Sequence, residues 1–187
     1  MPLGRFWTPS NALSLLRLIL ALPIGIALWH RAPVIGTVTL MLAAAVTDAF
    51  DGHLARRRGE TTEWGKILDP LADKVCIGVA AVILTWQGHL PIWFATVILG
   101  RDVLIVLGAL GLRGRLGRIP SSELPGKIAA AAAAGVLILA TLETEPSWAH
   151  LHLSKTLLPF VALLLGAAFL DYLRRAWTLL KHGITAG

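Results

Sequence analysis

Four regularly spaced aspartates stand out between positions 48 and 73. Asp48 and Asp51 are three residues apart, and Asp69 and Asp73 are four residues apart. On an α-helix, either spacing places two carboxylates on one face. An acid at the centre of a membrane helix costs roughly 2.5–3.5 kcal/mol on insertion scales, so four of them in an apolar chain indicate a functional site with cationic partners. Hard carboxylate oxygens favour Mg²⁺ or Mn²⁺ as those partners.

The residues between the acids indicate a phosphate ligand. Gly52 permits close approach of backbone or ligand, Ala55 keeps the next turn small, and Arg56 offers a planar pair of donors that matches phosphate oxygens. Gly65 opens the second half of the pattern, and eight residues separate it from Arg56. A purely structural cluster of salt bridges does not explain this spacing. The whole pattern therefore predicts a site for a metal-bound diphosphate.

The composition places these residues in a membrane protein. The chain has 187 residues, of which 56% are hydrophobic and 15% charged, whereas about 25% charged residues is typical of soluble domains. Its mean hydropathy is +0.71. A helix needs about 20 apolar residues to cross a bilayer, and stretches near that length recur six times. We expect an all-α fold, a single domain over 1–187 with six membrane-spanning helices and an interfacial segment at 1–10. The six stretches are 12–29, 33–50, 67–87, 90–112, 127–143 and 155–173.

The positive charges predict the orientation in the membrane. The formal net charge is +6, and its distribution along alternating loops favours membrane topology over nucleic-acid binding. If six helices alternate, only Arg31 and Lys155 fall on one side, so the other side, with both termini and the acids, is cytoplasmic. We expect a multi-pass protein of a bacterial inner membrane whose basic face attracts anionic lipids. The cations of that face are Arg5, Arg56, Arg57, Arg58, Lys66, Lys74, Arg113, Arg115, Arg118, Lys127, Arg174, Arg175 and Lys181.

Small and aromatic residues predict helix packing and helix ends. The alanine run from 129 to 134 gives the fifth helix a narrow face that another helix can approach closely. Tryptophan side chains favour the membrane–water interface. Five of them lie near the ends of the expected spans: Trp29, Trp86, Trp93, Trp148 and Trp177.

The acid pattern resembles the signature of the CDP-alcohol phosphatidyltransferase family. All eight fixed positions match, namely Asp48, Asp51, Gly52, Ala55, Arg56, Gly65, Asp69 and Asp73. The opening Pro9, Ser10, Asn11 and Arg17 is similar to the start of many members. The segment 65–74 resembles the bacterial phosphatidylglycerophosphate synthase and eukaryotic-type cardiolipin synthase branches.

The resemblance implies a role for each matched residue. Asp48, Asp51, Asp69 and Asp73 would hold metal, in family members two ions of Mg²⁺ or Mn²⁺, and Asp73 would also act as the general base. The CDP portion of the substrate would contact Gly52, Ala55, Arg56 and Gly65. The implied reaction transfers the phosphatidyl group of CDP-diacylglycerol to an acceptor hydroxyl and releases CMP. The resemblance also implies a homodimer.

The acceptor site is predicted from cations outside the acid pattern. Arg101 lies within an apolar stretch, beside Asp102, where an arginine should face a polar cavity or a partner. Arg118 and Lys127 could complete a basic pocket at the cytoplasmic surface, which favours a phosphate-bearing acceptor. Ala130 stands where the similar branches often carry Thr. Glycerol 3-phosphate is favoured, with phosphatidylglycerol, as in a cardiolipin synthase, and inositol phosphate left open.

Two other classes of membrane protein also use acidic helices. Membrane prenyltransferases hold a lipid diphosphate with Asp-rich helix ends, but Gly52, Ala55, Arg56 and Gly65 argue against that class. A cation transporter would need acids that continue through the bilayer, whereas these acids lie near one end of two helices. A phosphatidyltransferase of phospholipid biosynthesis is therefore the favoured interpretation.

Overall fold

The described part of the chain forms six long helices. The structure is a computed structural model and describes residues 9–58, 65–116 and 124–184. Those residues contain no strand, which confirms the all-α prediction. A short 3-10 turn, Ala149–Leu151, precedes the last helix. The helices are α1 Pro9–Trp29, α2 Val34–Arg58, α3 Gly65–Trp86, α4 Ile92–Leu116, α5 Leu124–Leu142 and α6 Leu153–Ile184.

The helices differ in how well they meet the length and composition of a membrane span. Among the described residues, two segments are long and apolar enough, Leu124–Leu142 and Leu153–Thr178. Three shorter apolar segments lie in α1, α2 and α3, namely Ser14–Trp29, Val34–Thr47 and Lys74–Trp86. The all-helical architecture agrees with a membrane protein, and the number of spans stays a prediction.

Small side chains fill the interior, and large apolar side chains cover the outside. Ala129 and Ala133 of α5 are buried, as the alanine run predicted. Large residues such as Leu22, Ile35 and Leu163 are exposed. Helices in lipid associate through close packing of small residues, because lipid tails already surround the large apolar ones. This distribution is the one expected of a bundle whose outer surface faces hydrocarbon.

Helices α1 and α3 run parallel and in register. The Cys76 thiol donates to the carbonyl oxygen of Arg17 at 3.3 Å. The side-chain amide of Gln87 donates to the carbonyl oxygen of Leu28 at 2.7 Å. Gln87 lies eleven positions after Cys76, and Leu28 lies eleven positions after Arg17. Because the rise per residue is the same on both helices, α1 follows α3 over this whole length. Arg17 therefore lies at the same height as the turn of α3 that follows Asp73.

Contacts among α4, α5 and α6, together with the exposed tryptophans, distinguish the two ends of the bundle. At the end of α5, Glu143 accepts hydrogen bonds from Ser154 at the start of α6, so these two helices form an antiparallel hairpin. The Tyr172 hydroxyl of α6 donates to the carbonyl oxygen of Ile105 on α4 at 3.2 Å. Four exposed tryptophans lie at or beyond helix ends opposite the acid pattern, which agrees with an interfacial belt: Trp29, Trp86, Trp93 and Trp148.

Candidate active site

The acid pattern lies on two consecutive helices, close to the connection between them. Asp48 and Asp51 lie near the end of α2, and Asp69 and Asp73 lie in the first turns of α3. Gly52, Ala55, Arg56 and Gly65 belong to the same two helical segments. The structure describes the backbone here, and the side chains of residues 48–58, 65–70 and 73 lie outside its described part. The backbone confirms that each pair of acids is helical and so shares a face.

The acids lie inside the helices and not at their tips. Helix α2 continues for seven residues beyond Asp51, and α3 begins eight residues before Asp73. At 1.5 Å per residue, each helix extends about 10 Å past its innermost acid. The site is therefore set back into the bundle, where neighbouring helices can supply further side chains.

Helix α1 supplies a buried cation to this region. The Arg17 side chain is only 2% exposed and is the largest of the fully buried side chains. Its backbone carbonyl oxygen accepts a hydrogen bond from the thiol of Cys76, which lies three residues after Asp73 on α3. A buried guanidinium is costly unless anionic or polar groups surround it. Its height beside α3 makes Arg17 a candidate site residue that the motif alone does not contain.

Helix α4 joins α3 immediately beside Asp73. The Lys74 ammonium donates to the backbone carbonyl oxygen of Asp102 at 2.9 Å and lies 3.8 Å from the carboxylate oxygen Oδ1 of the same residue. Arg101 Nη1 lies 3.2 Å from that Oδ1. One carboxylate of α4 is therefore shared between a cation of α3 and a cation of its own helix.

Arg101 is held in the interior next to the start of α5. Its side chain is 11% exposed, and its Nε–H is buried without a hydrogen-bond partner in the part of the chain that the structure describes. A Cβ built on Gly126 would lie 3.9 Å from Arg101 Nη2, so the guanidinium lies beside that glycine. An unpaired buried donor costs about 1–3 kcal/mol. An anionic ligand would supply the missing acceptor.

The other predicted acceptor residues are placed differently. Lys127 follows Gly126 in the first turn of α5 and is exposed, so its ammonium is available to a ligand or a lipid headgroup. Arg118 lies outside the described residues. The structure thus brings Arg101 close to the beginning of α5, one residue from Lys127.

The candidate metal ligands are the four aspartates of the acid pattern. No group of three or more potential metal ligands occurs among the residues whose side chains are described. The four aspartates lie outside that search, and their chemistry fits the metal that the sequence predicts, because Mg²⁺ and Mn²⁺ prefer carboxylate oxygens. They are the residues that would hold such ions.

The all-helical fold and the acid pattern are those expected of a membrane transferase that acts on a diphosphate-linked substrate. The family model described as CDP-alcohol phosphatidyltransferase matches residues 7–172. The chain belongs to this family and is a transferase of substituted phosphate groups, which confirms the sequence interpretation.

Three individual relatives show which branches of the family the chain is similar to. Over 176 residues the chain is 35% identical to a probable phosphatidylglycerophosphate synthase of Mycobacterium tuberculosis, covering 89% of this chain and 80% of the relative. Over 187 residues it is 34% identical to a CDP-diacylglycerol–glycerol-3-phosphate 3-phosphatidyltransferase of Pseudomonas fluorescens, covering 91% of each. It is 40% identical over 82 residues to a CMP-forming cardiolipin synthase of Streptomyces coelicolor, covering 42% of this chain and 38% of that protein.

Sequence reasoning did not assign a site role to three residues that the structure brings forward. From the sequence, Arg17 belongs to the family-like opening, Lys74 to the basic face, and Asp102 is the neighbour of Arg101. The signal in each case was a charge inside or beside an apolar stretch, which membrane helices rarely carry without a partner. Their partners lie on other helices and cannot be read from local spacing.

Proposed function

We propose that this protein transfers the phosphatidyl group of CDP-diacylglycerol to glycerol 3-phosphate, forming phosphatidylglycerophosphate and CMP. The observation that carries the choice of acceptor is the buried Arg101 guanidinium, whose Nη2 lies beside Gly126 and whose Nε–H has no hydrogen-bond partner among the described residues. A phosphate monoester matches this planar donor group in charge and geometry. The match spans 80% of the relative named a probable phosphatidylglycerophosphate synthase and 91% of the relative named a CDP-diacylglycerol–glycerol-3-phosphate 3-phosphatidyltransferase. It spans 38% of the cardiolipin synthase, which further supports glycerol 3-phosphate as the acceptor.

In the proposed site, the two ends of the substrate pair are held by different helices. Asp48, Asp51, Asp69 and Asp73 would hold Mg²⁺ or Mn²⁺, two ions by the family resemblance. Bound metal would supply positive charge to the diphosphate and to departing CMP. Gly52, Ala55, Arg56 and Gly65 contact the CDP portion. Arg101, with Lys127 and Arg118, binds the phosphate of the acceptor.

The chemical step needs a base and a correct line of approach. Asp73 accepts the proton of the acceptor hydroxyl, whose oxygen forms a bond to the β-phosphorus of CDP-diacylglycerol. The bond from that phosphorus to the bridging oxygen breaks, and CMP leaves with the electron pair. Phosphoryl transfer of this kind depends on positioning and electrostatic stabilisation more than on covalent catalysis. The chain meets this need with acids on α2 and α3 and a buried cation on α4.

We also propose that the six helices span the membrane, with both termini and the site on the cytoplasmic side, and that the protein is a homodimer. The exposed large apolar residues and the tryptophans opposite the acids support the first part. The substrate supports it as well, because CDP-diacylglycerol is a membrane lipid whose headgroup lies at the bilayer surface. The dimer rests on the family resemblance.

The experiment that tests the proposed function is CMP release by the purified protein. CDP-diacylglycerol and Mg²⁺ or Mn²⁺ are supplied, and glycerol 3-phosphate, phosphatidylglycerol and inositol phosphate are offered separately. We expect release with glycerol 3-phosphate, its loss on chelation with EDTA, and its return when either metal is added back. Release with another acceptor only would overturn the assigned substrate, and release in EDTA would overturn the metal.

A matched pair of variants tests the base. We expect Asp73→Asn to lower CMP release by about 10³-fold or more, because the amide cannot accept the proton and is a weaker metal ligand. Asp171→Asn is the control, since Asp171 is paired with Arg175 at 2.9 Å on the surface of α6. Near-normal turnover by a folded Asp73→Asn protein would refute the assigned role.

A further inference from the structure

The contact between α3 and α4 is made by the sequence neighbours of the two residues that the proposed reaction uses at its acceptor end. Lys74 is the residue after Asp73, and Asp102 is the residue after Arg101. The ammonium of Lys74 reaches both the backbone carbonyl oxygen and the carboxylate of Asp102. A shift of either helix along the other would therefore break this contact and change the separation between Asp73 and Arg101.

The carboxylate of Asp102 also restrains the orientation of Arg101. Its Oδ1 lies 3.2 Å from Arg101 Nη1 and 3.8 Å from Lys74 Nζ. The side chains of Arg101 and Asp102 are 11% and 15% exposed, so water screens this contact less than it screens a surface pair. One guanidinium edge is thus bonded to Asp102, while Nη2 lies beside Gly126 and Nε–H has no protein partner among the described residues.

We propose that Asp102 is a positioning residue that sets the distance and orientation of Arg101 relative to Asp73, and thereby selects a short phosphorylated alcohol as acceptor. The inference rests on the proposed function. A small acceptor must present its hydroxyl to Asp73 while its phosphate is bound by Arg101. The Lys74–Asp102 contact fixes the distance between Asp73 and Arg101. An acceptor of a different length therefore reaches only one of these two residues.

Electrostatics alone predicts the opposite contribution from Asp102. A carboxylate beside Arg101 repels an anionic acceptor, so its removal should strengthen binding of the phosphate if charge were the only effect. Positioning predicts weaker binding instead, because the freed guanidinium loses its orientation and must be ordered again by the ligand. The two explanations therefore differ in the sign of the change in KM for the acceptor.

The experiment measures KM for each substrate with Asp102→Ala. We expect KM for glycerol 3-phosphate to rise about tenfold and KM for CDP-diacylglycerol to stay within about twofold. Asp171→Ala is the matched control, because it removes an aspartate from an arginine pair on α6, and both of its KM values should remain those of the wild type. Lys74 is less suited to substitution, since it makes further interactions.

Three results would overturn the proposal. An unchanged KM for glycerol 3-phosphate would show that Asp102 does not position Arg101. A lower KM would show that its charge is the dominant effect, and an equal rise for both substrates would show a general structural role. If the alanine variant does not fold, Asp102→Asn keeps the side-chain shape and is judged by the same criterion, with an expected rise of about threefold.

Failure of the proposed function gives a different result from failure of this inference. If glycerol 3-phosphate is not the acceptor, the wild-type protein itself releases no CMP with it, and the KM comparison is made with the acceptor that does support release. If Asp102 has no positioning role, the wild type is active and only the predicted change in the variant is missing.

Discussion

The hydrogen bonds between Glu143 and Ser154 allow a quantitative prediction about the assembly of α5 and α6. Glu143 Oε1 accepts from the Ser154 backbone N–H at 2.9 Å, and Oε2 accepts from the Ser154 hydroxyl at 2.5 Å. Ser154 is the second residue of α6 and is buried. The first four N–H groups of a helix lack partners within it. The carboxylate of Glu143, the residue after α5, therefore caps the start of α6, where the helix dipole favours negative charge.

The perturbation is Glu143→Ala. It removes both acceptors and leaves two donors of a buried residue without their partners. Hydrogen bonds to a charged group contribute about 1.5–3 kcal/mol each, and water that enters beside the half-buried Glu143 recovers part of the loss. We expect the free energy of unfolding to fall by about 2–4 kcal/mol. At about 2–4 °C per kcal/mol for a chain of this size, the thermal midpoint should fall by roughly 4–16 °C.

The assay is thermal unfolding of the purified protein in detergent, with Glu145→Ala as the matched control. Glu145 is exposed and lies two residues further along the same connection, so its removal changes the same net charge without removing the cap. Glu143→Gln should lose about half as much stability, because its single carbonyl oxygen can still accept one bond. Equal midpoints for Glu143→Ala and Glu145→Ala would refute the reasoning.

Activity separates this cap from the site. The Thr141 hydroxyl lies 3.6 Å from Met41 Sδ, and Met41 precedes Asp48 by seven residues on α2. Glu143 therefore lies at the end of the bundle away from the acids. We expect CMP release per folded molecule to remain within about twofold of the wild type at low temperature.

Two further predictions concern the end of the bundle opposite the acids. Burial, followed by the nearby charges of Arg31 and Lys155, lowers the pKa of His89 from 6.5. Because the pKa of His89 is lower in the folded protein than in the unfolded chain, the unfolded chain binds the proton first as pH falls. The stability associated with His89 is therefore lost as pH falls through the unfolded pKa towards the folded pKa. We expect His89→Gln to lose less stability than the wild type between about pH 7.5 and about pH 5. Parallel unfolding midpoints over this range would contradict it. The orientation can be tested with single cysteines placed in a variant that lacks the native cysteine. An impermeant thiol reagent added to intact cells should label Glu145→Cys and should not label Lys181→Cys. The reverse labelling pattern would contradict the proposed orientation.

The sequence determined the class of this protein because its decisive features are local. The spacing of Asp48, Asp51, Asp69 and Asp73 is a helical spacing, and it carries its chemical meaning without knowledge of any distant contact. Apolar stretches of about 20 residues predict helices in the same direct way. Both predictions agree with the helices that the structure contains, although two segments of the described residues meet the full criteria for a span.

The tertiary structure alone decided how the helices are aligned and which charges meet. Lys74 and Asp102 are 28 positions apart, and Arg17 and Cys76 are 59 positions apart. An apolar stretch has no sequence feature that fixes which neighbour it packs against or at what height, because lipid-facing and helix-facing residues are equally hydrophobic. The burial of Arg17 and the shared carboxylate of Asp102 therefore follow from packing, whereas the acid pattern follows from the sequence.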